Sequence, residues 1–202
     1  VVTIKDNSGG FWLAGMRKGF DFVIKDDLIP KPVVARLIGK ELLSSVKGGT
    51  KHKIGVKFVN GQSHWHLFPY GTYSYGIAKR ISPDGTPYIP LSDETIRHRK
   101  WKAKEGIISV ARNRSYILRE TGKHIFNGME VSLVIPQRGQ TRIEIRFKDA
   151  DSLAIAKIQN EGKLGVKTPW FKKTKVSDIP ARPFIGIQQE FIDNLEFIIN
   201  QL

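Results

Sequence analysis

The chain has 202 residues, with 33 Lys and Arg against 19 Asp and Glu, a formal net charge of +14, and no cysteine. The missing thiols exclude disulfides and thiolate chemistry. No apolar stretch approaches the roughly 20 residues of a membrane-spanning helix, and the length suits one domain, or one domain with an elaborated arm. The charge implies an anionic neighbour (nucleic acid, a membrane surface or acidic protein surfaces), to be weighed against a merely solvated basic face. The first residues, which begin at Val1 without Met, show no charged-then-apolar leader.

Val1 to Ile4 are β-prone, and Asn7-Ser8-Gly9-Gly10 is a turn cluster. The aromatic arm that follows, with Phe11, Trp12, Leu13, Phe20 and Phe22, is expected to pack on its own core or on a neighbouring subunit. Pro32 to Val46 predicts a helix: Pro32 suits the first turn, Val34, Ile38, Leu42 and Val46 recur every four residues, and Gly48-Gly49 ends it. Lys53 to Val59 alternates as a half-buried strand with Ile54, Val56 and Phe58 inward. Asn60-Gly61 is a hairpin turn, and His64 to Phe68 is the returning strand. His64 and His66 share a face of that strand. A zinc site needs three or four ligands, however, so wet-face histidines around a buried Trp65 are the preferred reading and no metal is expected.

Pro69 to Pro90 reads as a long loop. Its Tyr70, Tyr73, Tyr75 and Tyr88 suggest contact with another surface, or else a platform for single-stranded nucleic acid. The basic run from Arg97 to Lys123, which includes Arg99, Lys100 and Lys102, could supply the accompanying groove. Ser92 is placed to cap a helix running from Asp93 to about Lys102. Met129 to Ile135 and Arg142 to Phe147 form the clearest hairpin, and Asp149 to Asn160 is a helix ended by Gly162. Lys163 to Lys175 reads as a basic loop holding Trp170 and Phe171. In Ile179 to Ile187 two prolines favour an extended strap, with Gly186 permitting a turn. The strap runs into an amphipathic helix carrying Phe191, Leu195, Ile198, Ile199 and Leu202.

The motifs of common enzymes are missing: no Gly-x-Ser-x-Gly elbow, no phosphate-cradling Gly-x4-Gly-Lys loop, no His-Glu-x-x-His. Acidic residues are too scattered to propose a two-carboxylate or two-metal centre, and a helix cap accounts better for Asp149 and Asp151. The expectation is a non-enzyme without cofactor. The pattern of elements predicts an α+β fold: an antiparallel sheet packed with a few helices, an extended N-terminal arm and long loops.

The stretch Ile-Pro-Ala-Arg-Pro-Phe-Ile-Gly-Ile at 179–187, running into a short helix, resembles the closing signature of the phage virion-morphogenesis family, the tail-completion proteins of tailed phages. Three further stretches resemble that family in the same order: Gly85 to Ser92, Ile117 to Lys123 and Ile155 to Gly162. Tyr88 stands where the family usually has Trp, His124 where it often has Leu, and Gln159 where it often has His. The resemblance covers roughly Gly85 to Leu202 and divides the chain into a tail-completion-like core at 85–202 and an elaboration at 1–84, the alternative being that both form one domain. It implies a virion structural protein of the tail or neck, assembled in the host cytoplasm, that caps the tail tube and presents a surface to the connector. The implied partners are its own copies in a ring (hexameric by family habit), the tail tube protein and the neck or connector proteins, with non-specific contact to channel DNA and none to membrane. Interface candidates are Phe11, Trp12, Arg97, Arg99, Lys100, Lys102, Trp170, Phe171, Arg182 and Phe184. From a different class, the alternative is a basic nucleic-acid-binding module.

Overall fold

The computed structural model describes residues 3–6, 18–23, 31–108, 117–118, 124–134, 141–168 and 175–200. It is an α+β fold in which short helices pack against small antiparallel sheets. The largest sheet has four strands. β1 (Thr3–Asp6) pairs with β2 (Lys18–Val23), β2 with β6 (Thr141–Phe147), and β6 with β5 (Met129–Val134).

Helix α1 (Lys31–Lys47) lies on β5 and β6. Its four-residue apolar repeat buries Val34, Ile38, Leu42 and Val46, the face that periodicity predicts. Gly39 lets the helix sit close: a Cβ there would stand 2.5 Å from Val131 Cγ1. The core that α1 helps to fill also takes in Tyr73, Tyr75, Ile143, Ile145, Phe184, Phe191 and Leu195. Residues on both sides of position 85 therefore contribute to this core.

β3 (Thr50–Val59) and β4 (Gln62–Thr72) form a separate two-stranded ribbon. Its turn is Asn60-Gly61, with φ of 52° and 78°. A two-residue turn with both central residues left-handed matches the right-handed twist of the strands it joins, hence Asn followed by Gly.

α2 (Asp93–Lys104) starts at Ser92, whose Oγ accepts from the Thr95 N–H. α3 (Ala150–Glu161) starts at Asp149, whose carboxylate accepts from Ser152 N–H at 2.6 Å. Both caps satisfy first-turn donors that the helix itself leaves open.

Part of the stretch expected as a basic loop after α3 is strand: β7 (Lys163–Thr168) pairs antiparallel with β8 (Lys175–Ile179), while 169–174 lie outside the described residues. Gly165 at φ 63° sits where the register shifts. That irregularity breaks the alternation by which a strand is read from sequence.

From Pro180 to Gln188 the chain is neither helix nor strand, in keeping with the two prolines. It is followed by α4 (Gln189–Asn200), which buries Phe191, Leu195 and Ile198. Gly186 serves close approach instead of the expected turn, since a Cβ there would meet Pro83 at 2.7 Å.

Candidate interaction surfaces

Four elements meet at one buried carboxylate. Glu41 of α1, fully buried, accepts at Oε1 from Tyr73 O–H (2.6 Å), Asn194 Nδ2–H (2.7 Å) and the His52 backbone N–H (3.1 Å). Its Oε2 lies 2.7 Å from His52 Nδ1. A carboxylate only accepts, so Nδ1 carries the ring proton. Asn194 also donates to Tyr73 Oη at 3.0 Å, and its Oδ1 accepts from Tyr70 O–H. α1, the β3–β4 ribbon, the segment after it and α4 are thereby held in one register. Burial of the carboxyl group is tolerated because donors meet both oxygens, three at Oε1 and the His52 ring at Oε2.

A second junction lies nearer the surface. Glu190 at the start of α4 pairs with Lys51 and accepts from Ser74 N–H (3.0 Å) and Ser74 O–H (2.6 Å). Partial burial alone would raise the Glu190 carboxyl, but Lys51 and the two Ser74 donors hold it below its ordinary value of 4.5. A carboxyl depressed in the folded chain adds stability above the unfolded value, and that stability is lost as pH falls through the folded value. Glu190→Gln is therefore expected to flatten the acid limb of a melting-temperature profile below about pH 4.5. At neutral pH it should cost no more than about 1 kcal/mol, because the pair is partly wet. An unchanged acid limb would show that the pair adds nothing.

The strap closes the chain's own fold. Asn160 at the end of α3 offers Oδ1 to the N–H groups of Phe184 (3.1 Å) and Ile185 (3.4 Å). Arg182 donates its backbone N–H to Gln159 O (2.8 Å), Nε–H to Ile89 O (3.1 Å) and Nη1–H to Gln159 Oε1 (3.2 Å). Its planar fork thus reads carbonyl oxygens from two different segments. Burial first, and the neighbouring Arg99 charge second, lower its pKa.

The expected interface residues fall into three groups. Phe184 is fully buried, and Arg182 and Arg99 are 5% and 6% exposed, so these three serve their own chain's interior and not an open surface. Arg97 and Lys100 are exposed on α2 beside Trp101, which stacks on His98, while Lys102 is half-buried. Phe11, Trp12, Trp170 and Phe171 lie outside the described residues, as do Arg112, Arg114, Arg119 and Lys123 of the basic run.

The tyrosines depart from expectation. Tyr73, Tyr75 and Tyr88 are buried in the core, and the first two meet edge to face at 5.6 Å. Burial, and then Glu41, raises the Tyr73 hydroxyl; burial pushes that of Tyr75 up to about 12. Among the described tyrosines only Tyr70 is exposed, packing against Phe197. Rings held inside cannot stack bases, so the stacking platform loses its aromatic floor.

Sequence reading also placed Val56 and Phe58 inward, yet they are 43% and 75% exposed. Their strand face is the predicted one, since Ile54 on the same face is buried. The ribbon outruns the core: alternation sets which face a residue occupies, not how far the strand extends past its support.

The Glu41 network went unread as well. Its signal was a polar residue inside each apolar stripe, Glu41 beside Leu42 on α1 and Asn194 beside Leu195 on α4.

Among the described residues no group of three or more His, Asp or Glu could hold a metal ion, and no helix is long and apolar enough to cross a membrane. Comparison with family models, curated proteins and solved structures returns no match.

Proposed function

We propose that this chain is a phage virion structural protein of the tail-completion or head–tail joining type, acting by binding and not by catalysis. On this reading copies form a ring that caps the tail tube and presents a surface to the connector. The observation that carries the binding role is the outer half of the β3–β4 ribbon, where Phe58 is 75% exposed and Val56 and Val59 are each 43% exposed. A two-stranded ribbon gains little stability alone, and exposed large side chains on it favour burial against protein. The phage assignment itself rests on the strap and the order of the three stretches before it.

Size exclusion with light scattering, paired with a DNA-shift titration in salt, tests the proposal. A discrete particle several times the 22.8 kDa chain, with weak salt-labile DNA binding, is expected. A monomer that shifts DNA at physiological salt would overturn it in favour of the nucleic-acid module. Within the particle, Arg97→Glu with Lys100→Glu is expected to impair joining before it alters DNA retention. The reverse order would place those residues along a DNA channel.

A further inference from the structure

We infer that the exposed end of the β3–β4 ribbon docks on the outer face of α4 of a second copy of this chain. This rests on the self-associating reading above and names its seam. The ribbon end offers an apolar centre, Val56 and Phe58, which lie on one face of the strand and are 43% and 75% exposed. Lys53 and Lys57, exposed, alternate with it on the opposite face of β3, whose outer edge is unpaired among the described residues, so a long lysine stem can turn round that edge to the rim of whatever the apolar face covers.

The outer face of α4 is the complement. Phe197 is 42% exposed and packs at a tilt against the exposed Tyr70, ring centroids 5.6 Å apart, which gives an apolar centre of two rings. Asp193 and Glu196, both exposed, lie four and one residues before it and form an acidic rim. In a chain carrying +14, such an acid-rimmed apolar patch is the natural mate of a lysine-rimmed one. The two patches are different surfaces, so the contact is head-to-tail. Repeated, it closes into a ring or runs on as a filament.

Because the chain has no cysteine, the seam can be mapped by disulfides alone. Full-length Phe58→Cys and Glu196→Cys are made separately, checked for fold by circular dichroism, mixed and oxidised; a bond between them must join two chains. The expected result is a 58–196 linked dimer formed at least tenfold faster than either self-linked one. A second, charge-based arm uses Lys57→Glu, which should dissociate the particle, and Asp193→Lys with Glu196→Lys, which should do the same. Mixing the two reversed proteins should restore association.

A particle that persists in light scattering, with no 58–196 linkage and no effect of charge reversal, would overturn this seam while leaving self-association standing. A dominant 58–58 linkage would replace it with a symmetric contact between ribbons. A wild-type chain that is monomeric at every concentration would overturn the self-associating reading itself.

Discussion

Glu41→Ala is expected to destabilise the fold by about 3–5 kcal/mol, because it removes the acceptor that several buried donors share. Tyr73 O–H, Asn194 Nδ2–H, the His52 N–H and the His52 ring would all lose their partner inside the core. For a chain of this size the melting temperature should fall by about 6–20 °C. Adding Tyr73→Phe to Glu41→Leu should recover part of the loss, since removing both partners leaves fewer stranded donors than removing one. A loss below about 1 kcal/mol for Glu41→Ala would mean that the network does not hold the helices together.

Phe184→Ala should cost a similar amount, about 3–5 kcal/mol, read as a lower urea midpoint at unchanged slope. The ring is fully buried and packs in the core with α1 and α4, and its own N–H is fixed by Asn160. The cavity cannot easily collapse, because the strap is pinned on both sides of it by Arg182 and by Gly186 against Pro83. Phe184→Leu, which keeps most of the volume, should lose well under half as much. Equal losses for Ala and Leu would point to disrupted strap geometry and not to a cavity.

Local chemistry made much of the fold legible. α1, α3 and α4 carry an apolar stripe or a cap within their own residues, and Asn60-Gly61 specifies its own turn. What stayed hidden depends on partners far along the chain. Tyr73 and Tyr75 read as loop residues because nothing near them shows that the segment folds back on α1. It does so through Ile77 N–H to Val46 O and Ala78 N–H to Lys47 O, where Gly48 and Gly76 allow backbone to touch backbone. Phe58 read as buried because its alternation is perfect and the end of the core is not written in the strand. Arg182 stands out in sequence between two prolines, but its partners, Ile89 and Gln159, are set by tertiary packing. The interaction surfaces were the least legible part, since exposure is a property of what the rest of the chain fails to cover.

The junction of Glu41 with Asn194 also dictates when the protein can finish folding. The two residues are 153 positions apart, so at 5–20 residues per second a ribosome needs about 8–30 s after making the first before it supplies the second. Throughout that interval the buried face of α1 has neither Phe191 nor Leu195 to cover it, and Glu41 has only His52 and Tyr73 to answer it. Closure of the core is thus gated by translation: α1 waits, its apolar face bare, until α4 has been made.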